Sequence, residues 1–164
     1  MKRVVGALLL LVAVLVQVVW APRVEVAGAF PNLVLLAVVA MTWTSGVRAA
    51  LVWACAGGLL LDLTSPGPLG PHAIALLSGV YLAGFWARNL DRDNPLHTAV
   101  AAALSTAVYS LVLVESDGLL GVLMPPIAAA AQLVVAACVY NALLMPLALV
   151  GMRRLQGSAR PGIA

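Results

Sequence analysis

A chain of 164 residues that is 63% hydrophobic and 9% charged, with a mean hydropathy of +1.07, lacks the polar surface of a soluble domain, where about 45–50% apolar and about 25% charged residues are usual. Lipid solvates Leu, Val and Ala directly, so the composition excludes a soluble fold and indicates an integral membrane protein. The net charge of +3 and pI near 9.3 carry no nucleic-acid signature, because the basic residues stand in short clusters between apolar runs and there report orientation.

Six apolar runs, at about 4–21, 30–46, 49–63, 73–87, 97–114 and 126–150, predict six transmembrane helices in one all-α bundle over residues 1–152. The first follows Lys2 and Arg3 and ends at Val19-Trp20-Ala21. It is longer than the h-region of a signal peptide and Pro22 blocks the small-residue site, so a retained helix with an interfacial Trp20 is expected. The second, third and fourth runs lie near or below the ~17-residue minimum for a bilayer core. The last is followed by a basic tail, 153–164, of a composition that predicts disorder, with Arg153 and Arg154 at the anionic leaflet.

Alternating these runs across a bilayer places Lys2, Arg3, Arg48, Arg88, Arg92, Arg153, Arg154 and Arg160 on one side and Arg23 on the other. By the positive-inside rule both termini are cytoplasmic, and an even number of spans is favoured over an odd one. Glu25, Glu115 and Asp117 then lie outside. The loop 87–97, with Arg88 and Arg92 against Asp91 and Asp93, nearly cancels its own charge and reads as solvated surface. Leu119, Leu120, Val122 and Leu123 can lie along the outer interface before Pro125 and Pro126 turn the chain.

The third run ends GGLLLDLTSPGPLG, residues 57–70, with Asp62 as its one carboxylate. A charge at membrane depth costs roughly 2.5–3.5 kcal/mol at a helix centre, less toward an end, so Asp62 needs a partner. Thr64, Ser65, His72 or the backbone N–H groups of the next turn can supply one. Asp62 can equally cap and order the rigid Pro66–Pro71 turn or face another protein.

Ala50, Ala54, Gly58 and Asp62 form a stripe at a spacing of four, as do Ala75, Gly79 and Ala83, and Ala99, Ala103 and Ala107. In lipid such stripes let helices approach closely, within the chain or against a partner; in a chain this rich in Ala, intramolecular packing is the plainer reading. Cys55 and Cys138 lack metal-ligand spacing and read as buried structural thiols.

Three elements resemble the MreD family of rod shape-determining membrane proteins: Pro31-Asn32-Leu33 at the start of the second run, Gly57-Gly58-Leu59-Leu60-Leu61-Asp62-Leu63, and Pro68-Leu69-Gly70. The resemblance implies a multi-pass protein of the bacterial inner membrane, with a bundle similar to the substrate-binding subunits of energy-coupling-factor transporters. It implies a non-enzymatic scaffold that binds the transmembrane and juxtamembrane segments of MreC, and through it MreB filaments, RodA and a class B penicillin-binding transpeptidase. Pro31, Asn32, Gly58, Asp62, Pro68, Leu69 and Gly70 are then the partner-binding or structural motif.

No cofactor, metal or nucleic acid is expected, and homo-oligomerisation stays open. Intramembrane proteolysis would need paired aspartates, a Ser–His pair or a metal-binding His motif; one membrane-depth Asp with His72 and His97 at opposite ends supplies none. Ser105 and Ser110 are expected to bond their own helix backbone. The alternative is a small-molecule-binding, vitamin-transporter-like subunit, suggested by Asn32, Thr42, Ser45, Ser78, Tyr81 and Tyr109 inside apolar runs; these appear scattered, and aromatic content is only 5%.

Overall fold

A computed structural model of the chain describes residues 2–20, 23, 28–89, 94–121 and 126–157. Glu25, Asp91, Arg92, Asp93, Val122, Leu123, Pro125 and the tail 158–164 lie outside the described residues. Six helices follow in order: α1 Lys2–Val19, α2 Leu33–Ser45, α3 Val47–Thr64, α4 Pro71–Asn89, α5 Pro95–Leu119 and α6 Ile127–Gly157. Arg153 and Arg154 therefore stand on the last turns of α6, in the region expected as tail.

The 13-residue α2 is the centre of the bundle, touching each of the other five helices. Its residues Val34, Leu35, Leu36, Val38, Val39, Ala40, Met41, Thr42 and Trp43 are all buried. A helix apolar on every side belongs inside. Being enclosed by protein, α2 need not match the bilayer, which accounts for its length. Asn32 caps it by accepting from Leu35 N at 2.9 Å, and Gly46, at φ +89°, turns the chain directly into α3. That left-handed backbone is where glycine avoids a Cβ clash.

By length and composition α3, α5 and Ile127–Leu155 of α6 are apolar and long enough to cross a membrane, whereas Gly6–Val19 and α2 are apolar but shorter. Packing is most extensive between the sequence neighbours α3–α4, α4–α5 and α5–α6; α1 lies on α2 and α3 and barely meets α6.

Both of the first two small-residue stripes are consumed inside the bundle. Ala50, Ala54, Gly58 and Asp62 are buried on α3, and Ala75, Gly79 and Ala83 on α4. The third stripe is not the packing face of α5. Ala99, Ala103 and Ala107 are only half-buried, while Thr98, Ala101, Ala102, Ser105, Thr106 and Tyr109 face inward. The reason is polar: Ser105 does not bond its own helix as expected, but donates across to Gly79 O at 3.0 Å, and Thr106 accepts from Asn141 of α6 at 3.0 Å. These bonds rotate α5 onto the face that satisfies its hydroxyls. Cys138 is half-buried, but Cys55 is exposed on the outer surface of α3 rather than buried. On that surface an apolar thiol meets lipid as readily as protein.

Candidate functional site

The Asp62 carboxylate is 2% exposed and caps the start of α4. Its Oδ2 accepts from Gly70 N at 2.9 Å and from Ala73 N at 3.4 Å. Its Oδ1 accepts from His72 N and from His72 Nδ1, both at 2.9 Å. A helix start leaves its first N–H groups without intrahelical partners. Pro71 occupies the first helical position, where a missing N–H leaves nothing to satisfy, and Asp62 takes the donors around it. A carboxylate offers about four lone-pair sites. All are engaged within the chain, where Asp62 orders the turn and the start of α4. Thr64 instead donates to Leu61 O at 2.8 Å.

Gly58, one turn earlier on the same stripe, admits α4 to this position. A Cβ built there would lie 2.2 Å from Ala73 Cα and 2.6 Å from Ala73 N. Gly70, at φ +124°, closes the turn in a conformation that disfavours side chains. Gly58, Asp62 and Gly70 are thus one device that clamps α3 to α4 and fixes the turn between them. Pro66, Gly67, Pro68 and Leu69 stand exposed at its tip, Leu69 at 65%.

Asn32 belongs to a neighbouring polar cluster, and Pro31 before it is buried. Three carboxamides spend their oxygens on the start of α2: Asn141 accepts from Asn32 N at 3.0 Å, Gln17 from Leu33 N at 2.6 Å, and Asn32 from Leu35 N. A backbone N–H can only donate, so each amide oxygen, and thus each amide orientation, is set. The Asn32 side chain also hydrogen-bonds the Tyr109 hydroxyl, Asn141 donates to Thr106, and the Tyr109 ring meets His72 edge-on with centroids 6.3 Å apart.

The Asp62 clamp and the Asn32 cluster therefore meet through His72 and Tyr109, and both border one cavity of about 420 Å³. Its walls come from α1, α3, α4, α5 and α6 and from the segment 28–32 that leads into α2, at a single end of the bundle. Asn32 and Tyr109, expected to be scattered, converge there. Thr42 and Ser78 bond their own helices and Tyr81 points outward, 67% exposed. Gln17, Thr106 and Asn141 were not singled out from the sequence. The signal was an amide within an apolar run, Gln17 alone in the first and Asn141 beside Gln132 in the last, which in a membrane helix demands a partner.

Among the described residues no group of His, Cys, Asp and Glu could hold a metal ion. No curated protein and no solved structure matches the chain. The family model described as rod shape-determining protein MreD matches residues 1–151, which include the clamp, the turn it holds and all of the polar cluster; the chain belongs to the MreD family.

Proposed function

We propose that the chain is a non-enzymatic scaffold of bacterial cell elongation that holds MreC in the inner membrane and, through it, contributes to control of peptidoglycan synthesis by the RodA–transpeptidase pair and to coupling with MreB. Family membership supports the shape-determining role. The observation that carries the mechanism is the clamp: a buried carboxylate with every acceptor site used inside the chain holds an exposed Pro-Leu tip rigid. Rigidity lowers the ordering cost of an interface. The contact offered to MreC is therefore the tip at 66–69. The small-residue stripes of α3 and α4 are already occupied.

Both termini are assigned to the cytoplasm. Among the described residues Arg48, Arg88, Arg153 and Arg154 stand at the end of the bundle opposite the cavity, whereas Arg23 follows α1 at the cavity end. That asymmetry follows the positive-inside rule. Reporter fusions at the carboxyl end and within 66–69 should lie in opposite compartments; the same compartment for both would refute the layout.

Co-purification from native membranes tests the partner. The wild-type chain should recover MreC, and Leu69→Glu, made at an exposed position, should recover several-fold less at equal expression and equal thermal stability, as loss of a central apolar contact predicts. Recovery of no MreC by the wild type would end the reading, and equal recovery by both would remove the tip from the interface.

A further inference from the structure

The cavity beside the clamp is a pit with a buried floor. Leu61, Asn32, Thr106, Tyr109 and Asn141 on its wall are each 8% exposed or less, whereas Val18, Phe30 and Leu133 are exposed and form its rim. Its volume of about 420 Å³ falls within the range of small-molecule sites, about 300–1,000 Å³, and its open wall is mostly apolar with a few placed polar groups, as in such sites. Part of the polar capacity is spent internally, by Asn32 on Tyr109 and by Asn141 on Thr106. Three groups keep theirs. An ionised Asp62 only accepts, so His72 Nδ1 carries the proton of their 2.9 Å bond, and Nε2 of the neutral ring is left as an acceptor. Gln17 has its oxygen on Leu33 N, which leaves its N–H2 to donate, and the Ser110 hydroxyl can do either. Among the described residues none of these three groups has a further partner.

We propose that this pit binds an uncharged small molecule that carries a carboxamide on an apolar body. Charge is excluded on both signs. An anion meets no Lys or Arg on the wall, and a cation meets no open carboxylate, because both oxygens of Asp62 already accept from N–H groups; a charge buried without a partner is costly. A carboxamide supplies both complements that the wall lacks: its N–H suits His72 Nε2, and its carbonyl suits the Gln17 N–H2 or the Ser110 hydroxyl. Phe30 and the Tyr109 ring, which meets His72 edge-on, flank the apolar part. Water alone fits less well, since each buried water needs two to four polar partners and Val18, Ala29, Leu113, Val134 and Ala137 offer it none. The site goes beyond the scaffold reading and does not depend on it.

The full chain in lipid nanodiscs is titrated with para-fluorobenzamide, para-fluorotoluene and para-fluorobenzoate, and binding is read by fluorine NMR against empty nanodiscs. The amide should bind saturably and about tenfold more tightly than the toluene, which makes neither hydrogen bond, and the benzoate should show no saturable binding. His72→Asn, which keeps an N–H for Asp62 but has no group in place of Nε2, should weaken the amide about three- to tenfold, the value of a hydrogen bond, and leave the toluene unchanged. Ala137→Phe, on the wall of the pit, should abolish binding of both, since a filled pit excludes the ligand. Ala137→Leu serves the same purpose if the larger ring lowers stability. No saturable binding of the amide by the wild type, or binding that survives both Ala137 variants, would overturn the site; a toluene or benzoate bound as tightly as the amide, or an amide indifferent to His72→Asn, would overturn the carboxamide assignment. No MreC is present in this measurement, so its outcome is separate from that of the partner reading.

Discussion

Asp62→Leu should destabilise the bundle by about 3–5 kcal/mol, because it leaves the N–H groups of Gly70, His72 and Ala73 without their acceptor, at about 1–3 kcal/mol for each buried donor left unmade. Leucine is apolar and close in size, so cavity formation contributes little; the loss is polar in origin. Asp62→Asn, which keeps one acceptor oxygen but turns an N–H2 toward the same donors, should lose roughly half as much. Unfolding of the purified chain in mild detergent measures both, and protease cleavage within 65–70 should accelerate in the same order. A leucine variant as stable as the wild type would show that α4 does not depend on this carboxylate for its cap.

Gly58→Ala should reverse the sign usual for such a change. In a helix interior Gly→Ala gains up to about 1 kcal/mol of propensity, and at Gly151, where nothing lies within 4 Å of a new Cβ, that gain of about 0.5–1 kcal/mol is the expected result. At Gly58 the new methyl meets Ala73 Cα at 2.2 Å and His72 C at 2.9 Å. Both are backbone atoms, so no rotamer change relieves the clash and α4 must move. Overpacking of this kind costs about 1–3 kcal/mol, and the movement also opens the Asp62 bonds, so a loss near 3 kcal/mol is expected. Because both changes release the same cap, Gly58→Ala and Asp62→Leu together should cost less than their sum. Additive losses would mean that the close approach and the cap act independently.

The need of Asp62 for a partner is legible in the chain because an ionisable group among apolar residues has few affordable states, and Gly58 on the same helical stripe already directs it toward protein. The backbone donors that satisfy it are less so. They arise from the missing intrahelical bonds of α4, and a residue string does not show which helix start will lie under which side chain. The third small-residue stripe shows the same limit: alanine spacing marks Ala99, Ala103 and Ala107, yet the hydroxyls of Ser105 and Thr106 turn α5 by finding acceptors and donors on α4 and α6.

Composition and charge order establish a membrane helical chain, since 9% charged residues cannot clothe a soluble fold and hydrophobicity is a property of each residue wherever it lies. The number of helices follows from where apolar runs break. The enclosure of α2, the clamp of α3 on α4 and the meeting of Gln17, Asn32, Tyr109 and Asn141 at one cavity depend on helix rotation and depth. Those are set collectively, by steric fit at glycine and by hydrogen bonds that have no alternative partner in lipid.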